Sequence, residues 1–261
     1  MIETDNLVRE ITTGKGYVVI PDVLTREEAK EARSLVLHHT KLEREKGKVF
    51  HHENKERLCG LIYKGTIFEK IVQHPQVLAI IEKILGTDII LGGFSAHIIY
   101  QNATRMGNHV DYPYWAMPAP FPSQPILEVQ TIWLVEDFTE NNGAPLFAPD
   151  TQKLGTWPDV EKFDKIAQKI TGKAGSVIIS HGLCWHDTSE NVTPTPRVSL
   201  LGNYTPSFIH PLEENLYDLN TDAIDRATPQ LKKLLRHSLK TQEKPFFDIH
   251  NKHLYQSPVT S

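Results

Sequence analysis

A histidine and an aspartate separated by one residue, His109 and Asp111, are the side chains of this sequence whose spacing best suits chemistry. In an extended backbone the side chains of residues i and i+2 leave the same face, so an imidazole and a carboxylate can reach one ion. Such pairs also occur by chance, and a solvated loop is the competing interpretation. A metal site therefore requires a third ligand from elsewhere in the chain.

Two histidines of a later β-rich segment, His181 and His186, are the candidates for that third ligand. Arg197 follows His186 by eleven residues, and the intervening 193–196 alternates threonine and proline. This spacing predicts a turn that returns the next strand antiparallel beside the first, with the guanidinium near His186. An arginine buried in such a core needs an anion, and its planar fork pairs best with a carboxylate. Arg197 therefore favours His186 as the third ligand.

Two imidazoles and one carboxylate on one face of an ion form the ligand set of non-haem iron(II) oxygenases. A catalytic zinc site with the same ligands would leave Arg197 without a role. A 2-oxo acid that binds the metal through two atoms would instead give the arginine a carboxylate to bind. We therefore expect an iron site with an acidic co-substrate.

The predicted secondary structure that must position these residues changes from mainly helical to mainly β along the chain. A short β-branched run near residue 17 leads to a helix whose start is marked by Thr25 and Glu28, a capping-box pattern. Helical spacing over 66–86 is interrupted at Pro75 and closed by Gly86. From residue 88 onward, short β-branched runs alternate with turn residues.

This order predicts a mainly β fold, a sandwich or small barrel with the N-terminal helices covering one outer face. We expect one domain, because no linker-like segment interrupts the sequence. Its predicted parts are N-terminal helices at about 1–86, a β-core at about 88–206 and a C-terminal helical tail at about 212–261.

Composition excludes several classes of function. The net charge of −4 and pI near 6.3 give no general attraction to nucleic acid or to an anionic membrane. The polar, acidic N-terminus does not resemble a signal peptide, and the sequence contains no run of 18 apolar residues. The two cysteines lack the spacing of a thiolate zinc site. We expect a cytoplasmic protein that acts on a small molecule.

Several motifs resemble those of the phytanoyl-CoA dioxygenases, a family of 2-oxoglutarate-dependent oxygenases. The stretch NHVDYPYW is similar to that family's first metal motif, and GSVIISHGLCWHDTSENVTPTPRVSL to its segment with the distal histidine and the co-substrate arginine. GYVVIPDVLTREEAKEAR resembles the start of the family, and EDFTENNGAPLFAPDTQK its acidic turn and following strand. Together these matches span about residues 16 to 206.

The resemblance implies a double-stranded β-helix core, a cupin-like jelly roll flanked by helices, and it implies roles for individual residues. His109, Asp111 and His186 would bind Fe(II), Arg197 would bind the distal carboxylate of 2-oxoglutarate, and Thr188 would assist it. With O2 as the second co-substrate, decarboxylation of 2-oxoglutarate to succinate and CO2 would be coupled to hydroxylation of an unactivated C–H bond. The family's Pro-Gly-Ser-His turn is Pro-Asp-Thr-Gln here, at 149–152, which puts in doubt only what that turn contributes to the substrate or to loop closure.

The roles of the neighbouring residues stay open at this level. Tyr112, Tyr114 and Trp115 either line a substrate pocket or pack over the mouth of the core. Gln130, on a predicted core strand, either faces the co-substrate or packs internally.

Two other functions also stay open: a cupin-like metalloenzyme that does not use 2-oxoglutarate, and a non-catalytic binding protein of the same fold. The substrate is expected to be a small metabolite or natural-product intermediate. Its identity, the oligomeric state, and the choice between hydroxylation, desaturation, cyclisation and dealkylation do not follow from the sequence.

Overall fold

The computed structural model describes residues 4–213 and 221–236. The helices within these residues are α1 (Thr4–Thr12), α2 (Arg26–Arg44), α3 (Thr66–Val72), α4 (Pro75–Leu85), α5 (Val160–Ile166), α6 (Thr221–Arg226) and α7 (Pro229–Leu234). The strands are β1 (Tyr17–Ile20), β2 (Phe50–His52), β3 (Lys55–Leu58), β4 (Ile89–Ile99), β5 (Val129–Leu134), β6 (Pro145–Phe147), β7 (Gln168–Lys169), β8 (Val177–His181), β9 (His186–Thr188) and β10 (Arg197–Pro206). The expected helical tail is described only to residue 236, and the rest of it lies outside these ranges.

Helix α2 begins as the sequence predicts, at a capping box. The Thr25 side chain accepts a hydrogen bond from the backbone of Glu28, and the Glu28 carboxylate accepts one from the backbone of Thr25. The helix buries Ala29, Ala32 and Val36. The break at Pro75 and the end at Gly86 are also confirmed, because α3 and α4 are separate helices and Gly86 caps the second.

Two antiparallel sheets form the core. The larger has the strand order β1-β8-β5-β10-β4-β3-β2, and the smaller has the order β7-β6-β9. An apolar cluster that includes Ile132 and Ile178 of the larger sheet and Phe147 of the smaller one lies between them. The predicted jelly-roll core is therefore confirmed, with helices packed mainly against the larger sheet.

The register of β10 places its polar residues on the inner face. Ser199 pairs with Leu134, Leu201 with Ile132 and Asn203 with Gln130 of the neighbouring β5. Because side chains alternate between the two faces of a strand, every second residue from Arg197 faces the smaller sheet. The intervening positions, such as Val198 and Leu200, pack into the core beneath the helices.

The prediction that the strand after the Thr-Pro turn returns beside the strand of His186 is wrong. β9 pairs with β6 in the smaller sheet, whereas β10 pairs with β4 and β5 in the larger one. The buried Asn191 holds this turn against the larger sheet, because its amide donates to the carbonyls of Ile99 and Thr195. Arg197 consequently faces the space between the sheets.

The N-terminal third contributes more than covering helices. Strands β1, β2 and β3 belong to the larger sheet, although only the first was predicted from the sequence. β3 pairs with β4 and so places Arg57 beside the inner space. In the described part of the chain, no helix combines the length and apolar character that crossing a membrane requires.

Candidate metal centre

His109 and Asp111 lie on an extended segment that pairs with β9 and the turn before it. His109 and His186 exchange backbone hydrogen bonds of 3.0 and 3.1 Å, and the Asp111 amide donates to the Gly182 carbonyl at 2.8 Å. The expected i, i+2 arrangement is therefore present, and backbone pairing brings the distal histidine beside it.

The three predicted ligands converge. One ligand atom of each of His109, Asp111 and His186 lies within 4.8 Å of those of the other two. Nε2 of His186 lies 3.6 Å from Oδ1 of Asp111, and the two imidazole centroids are 4.2 Å apart. These separations suit donors that surround one ion.

Hydrogen bonding leaves the correct atoms of this group free to bind a metal. Nδ1 of His109 lies 2.8 Å from the Gly107 carbonyl, and Nδ1 of His186 lies 2.9 Å from the Cys184 carbonyl. A carbonyl only accepts, so each Nδ1 carries the proton and each Nε2 keeps its lone pair. Oδ2 of Asp111 is buried and has no hydrogen-bond partner among the described residues. The donor set fits a divalent cation.

Burial sets the charges of the three side chains. It lowers the pKa of His109, assisted by the adjacent His186, and it also lowers the pKa of His186. Both imidazoles are therefore neutral, the form that binds metals. Burial raises the pKa of Asp111 to about 6. A cation bound here would favour the charged carboxylate.

Gln130 lies beside these ligands on β5. Its amide nitrogen is 3.4 Å from Oδ1 of Asp111, so it contacts the carboxylate that points to the metal position. Gln130 also lines both cavities that open from this position. The side chain of Gln130 therefore lies at the site and is not confined to internal packing.

A narrow cavity of about 60 Å³ runs from the three ligands to Arg197. Arg197 is only 2% exposed, donates to Ser199 Oγ at 2.7 Å and to the Gly143 carbonyl at 2.6 Å, and lies over the ring of Phe138. Its Nε is buried without a partner, and no described carboxylate forms an ion pair with it. Burial accordingly lowers its pKa to about 9. Thr188 lines the same cavity, as the family motif implies.

A wider cavity of about 210 Å³ opens on the other side of the ligands. Tyr112 and Trp115 line it, with ring centroids 5.5 Å apart. Tyr114 does not line it: this residue is fully buried, and its hydroxyl accepts a hydrogen bond from the Leu127 amide. A 3-10 turn over Tyr114–Ala116 rotates the side chain of Tyr114 into the core. Tyr114 therefore packs in the core and does not line a substrate pocket.

His181, the alternative third ligand, lies away from this group. Its Nδ1 accepts a hydrogen bond from the Leu183 amide at 3.0 Å, and its ring stacks with that of Tyr114. Burial lowers its pKa to about 4, so it is a neutral core residue.

The turn that departs from the family pattern supports the fold. The Gln152 side chain donates to the Gly14 carbonyl, and the Thr151 hydroxyl accepts from the Trp185 amide. Asp150 takes the left-handed conformation with φ of 67°. None of these residues lines either cavity.

Three further residues at the site were not predicted. Arg57 of β3 lines both cavities, Asp187 holds the loop before His109, and the buried Glu128 lies close enough to Asp111 for their charges to interact. Of these three residues, only Asp187 could have been predicted from the sequence, because it directly follows His186.

Comparison with known proteins agrees with this geometry. A sequence model described as phytanoyl-CoA dioxygenase matches residues 13–199. The chain is similar to Dioxygenase af480 of Aspergillus fumigatus, with 27% identity over 228 residues that cover 84% of this chain and 73% of that protein.

Solved structures show the same fold. One is the epimerase SnoN with Fe3+, alpha-ketoglutarate and nogalamycin RO, at 18% identity and a TM-score of 0.64, covering 84% of this chain and 90% of that one. Another is HygX of Streptomyces hygroscopicus with nickel and 2-oxoglutarate, at 14% identity and a TM-score of 0.63, covering 82% and 91%.

The family match spans most of the chain and includes both predicted metal motifs. The ligand geometry, the buried arginine and the similarity to a named dioxygenase agree with it. The chain therefore belongs to the phytanoyl-CoA dioxygenase family and is a 2-oxoglutarate-dependent non-haem iron dioxygenase.

Proposed function

We propose that this enzyme hydroxylates an unactivated C–H bond of a small metabolite or natural-product intermediate, with release of succinate and CO2. In this proposal His109, Asp111 and His186 hold the iron, and Arg197 binds the distal carboxylate of 2-oxoglutarate. When bound, iron(II) supplies the redox chemistry that couples co-substrate decarboxylation to substrate oxidation. The chain's own residues bind and orient the two organic molecules.

The burial of Arg197 is the observation that carries the proposal. A guanidinium taken out of water costs several kcal/mol unless a counter-charge binds it, so a bound anion would stabilise this position. The narrow cavity connects the arginine to the three metal ligands. A short dicarboxylate with a 2-oxo group can bind at both ends of that cavity.

The two cavities support separate places for co-substrate and substrate. Both are lined by His109, Asp111 and Gln130, so the metal position lies between them. The narrow one holds the small co-substrate, and the wider one takes the substrate, with Tyr112 and Trp115 along one wall.

A turnover assay tests the proposed reaction. We expect the purified protein with Fe(II), 2-oxoglutarate and O2 to form succinate, and a compound that it hydroxylates to gain one oxygen atom by mass spectrometry. Asp111→Gly removes the one anionic ligand and should abolish succinate formation, while the exposed Asp164→Asn serves as a control. Succinate formation that needs no iron, or normal formation by Asp111→Gly, would contradict the proposal.

A further inference from the structure

Arg57 is a cation without an ion-pair partner among the described residues, and it lies at the junction of the two cavities. It lies on β3 opposite His97 of β4, half-buried, and lines both the narrow and the wider cavity. Its guanidinium forms no hydrogen bond or ion pair with any residue that the structure describes. By contrast, Arg44 and Arg105 bind the carboxylates of Glu56 and Asp187. The free guanidinium is therefore available to a ligand.

The charge balance of the site argues that this ligand is not the co-substrate. In the proposed complex, 2-oxoglutarate carries two negative charges and Asp111 one, while the metal carries two positive charges and Arg197 one. These charges cancel without Arg57. The positive charge of Arg57 consequently remains to be balanced by a group that enters through the wider cavity.

Neither acid of the site forms an ion pair with Arg57, although the positive charge of Arg57 opposes the rise that burial causes in the pKa of Asp111 and of Glu213. Asp111 points to the metal position, where its Oδ1 lies 3.6 Å from Nε2 of His186. Glu213, on the wall of the wider cavity, accepts a hydrogen bond from the Gly60 amide at 3.4 Å and forms no ion pair with Arg57. An anion of the substrate can therefore reach Arg57 without displacing an existing partner.

Asn203 also lines the wider cavity. Its amide nitrogen donates to Glu128 at 2.8 Å, and its Oδ1 is buried beside Gly92. Arg57 is therefore the charged group that this wall of the cavity offers to a ligand.

We propose that the substrate is a small carboxylic acid, with its carboxylate bound by Arg57 in the wider cavity. This inference rests on the proposed function and adds the substrate class. A guanidinium fork matches the two oxygens of a carboxylate. The volume of about 210 Å³ lies below that of pockets for drug-sized ligands, so the molecule is small.

Matched pairs of compounds test the substrate class. Small carboxylic acids, each with its primary amide, are titrated calorimetrically into the anaerobic Fe(II) and 2-oxoglutarate complex. The amide keeps the shape of the acid and removes its charge. We expect acids that bind to do so roughly 10- to 150-fold more tightly than their amides, as loss of a charge-assisted hydrogen bond predicts.

Two variants assign the preference to Arg57. Arg57→Gln should reduce the difference between acid and amide to less than about threefold, because a neutral side chain no longer discriminates the charge. Arg26→Gln removes the same charge from an exposed position of α2 and should keep the full preference. The affinity of Arg57→Gln for 2-oxoglutarate should remain within about threefold of that of the wild type.

Three results would overturn the inference: no acid binds, amides bind as well as acids, or Arg57→Gln weakens 2-oxoglutarate as strongly as it weakens the acids. The last result would assign Arg57 to the co-substrate. Succinate formation under oxygen is measured in parallel. Its absence from the wild type would contradict the proposed function, whereas succinate formation without preference for acids would contradict the substrate class alone.

Discussion

The carboxylate of Asp187 accepts a hydrogen bond of 3.1 Å from the backbone amide of Gly107. The carbonyl of Gly107 in turn accepts from Nδ1 of His109, and Asp187 directly follows His186. One fully buried carboxylate therefore connects the segments that carry both histidine ligands. It also accepts from the amide of Met106 and from Arg105, so its position is fixed by several donors.

Asp187→Asn should weaken iron binding about 10- to 100-fold, the usual effect of losing a partner that orients a metal ligand. The amide offers one acceptor oxygen where the carboxylate offers two, so the loop that holds His109 loses part of its support. Anaerobic Fe(II) titration measures the affinity. Asp164→Asn, which removes the exposed partner of the same Arg105, is the matched control and should have little effect. Equal iron affinity in wild type and Asp187→Asn would refute the positioning role.

Arg197→Lys should weaken 2-oxoglutarate binding although it preserves the charge. The guanidinium already donates to Ser199 and Gly143 and still has further donors for a carboxylate, a geometry that an ammonium group cannot reproduce. A lost charge-assisted hydrogen bond in a buried site is worth about 1.5–3 kcal/mol, or roughly 10- to 150-fold in affinity. Titration of 2-oxoglutarate into the Fe(II) protein measures the change. Iron affinity is the internal control, and an unchanged 2-oxoglutarate affinity would remove Arg197 from the site.

Glu128→Gln should change how the stability of the metal-free protein depends on pH. Burial, together with the nearby Asp111, raises the pKa of Glu128 well above its ordinary value of 4.5. The folded state therefore holds a proton that the unfolded chain releases, and the stability of the wild type falls as pH rises above about 4.5. This loss reaches up to about 1.4 kcal/mol per pH unit until the carboxyl of the folded state ionises.

The stability of the Glu128→Gln variant does not fall in this way, because a glutamine side chain has no proton to release. We therefore expect the free energy of unfolding of Glu128→Gln to exceed that of the wild type by an amount that grows between pH 5 and 7. Urea denaturation at several pH values measures the difference, and the exposed Glu161→Gln is the control. A difference that does not depend on pH would show that Glu128 is charged in the folded protein.

Local sequence patterns predicted the parts of the structure that depend on neighbouring residues. The capping box at Thr25, the helix break at Pro75 and the i, i+2 geometry of His109 and Asp111 each follow from a few adjacent positions. The β-branched runs located the central strands for the same reason.

The remaining features depend on distant contacts. Strand β3 carries charged residues, and only its pairing with β4 places Arg57 at the cavities. The turn before β10 is held against the larger sheet by the contact of Asn191 with Ile99, which lies 92 positions away. The choice between pocket and packing could not be made for Tyr114 from the sequence, because this residue begins a 3-10 turn, where side chains do not alternate between two faces.

The anaerobic complex of the protein with Fe(II) and 2-oxoglutarate tests the central claim most directly. The metal-to-ligand charge-transfer band of the chelate reports whether the co-substrate binds iron at His109, Asp111 and His186. We predict one iron and one 2-oxoglutarate per chain, a band of normal intensity in His181→Ala, and no band in His186→Ala, because only the second histidine lies within 4.8 Å of the other two ligands. A band that survives in His186→Ala, or that is lost in a folded His181→Ala, would contradict the assignment of the metal site.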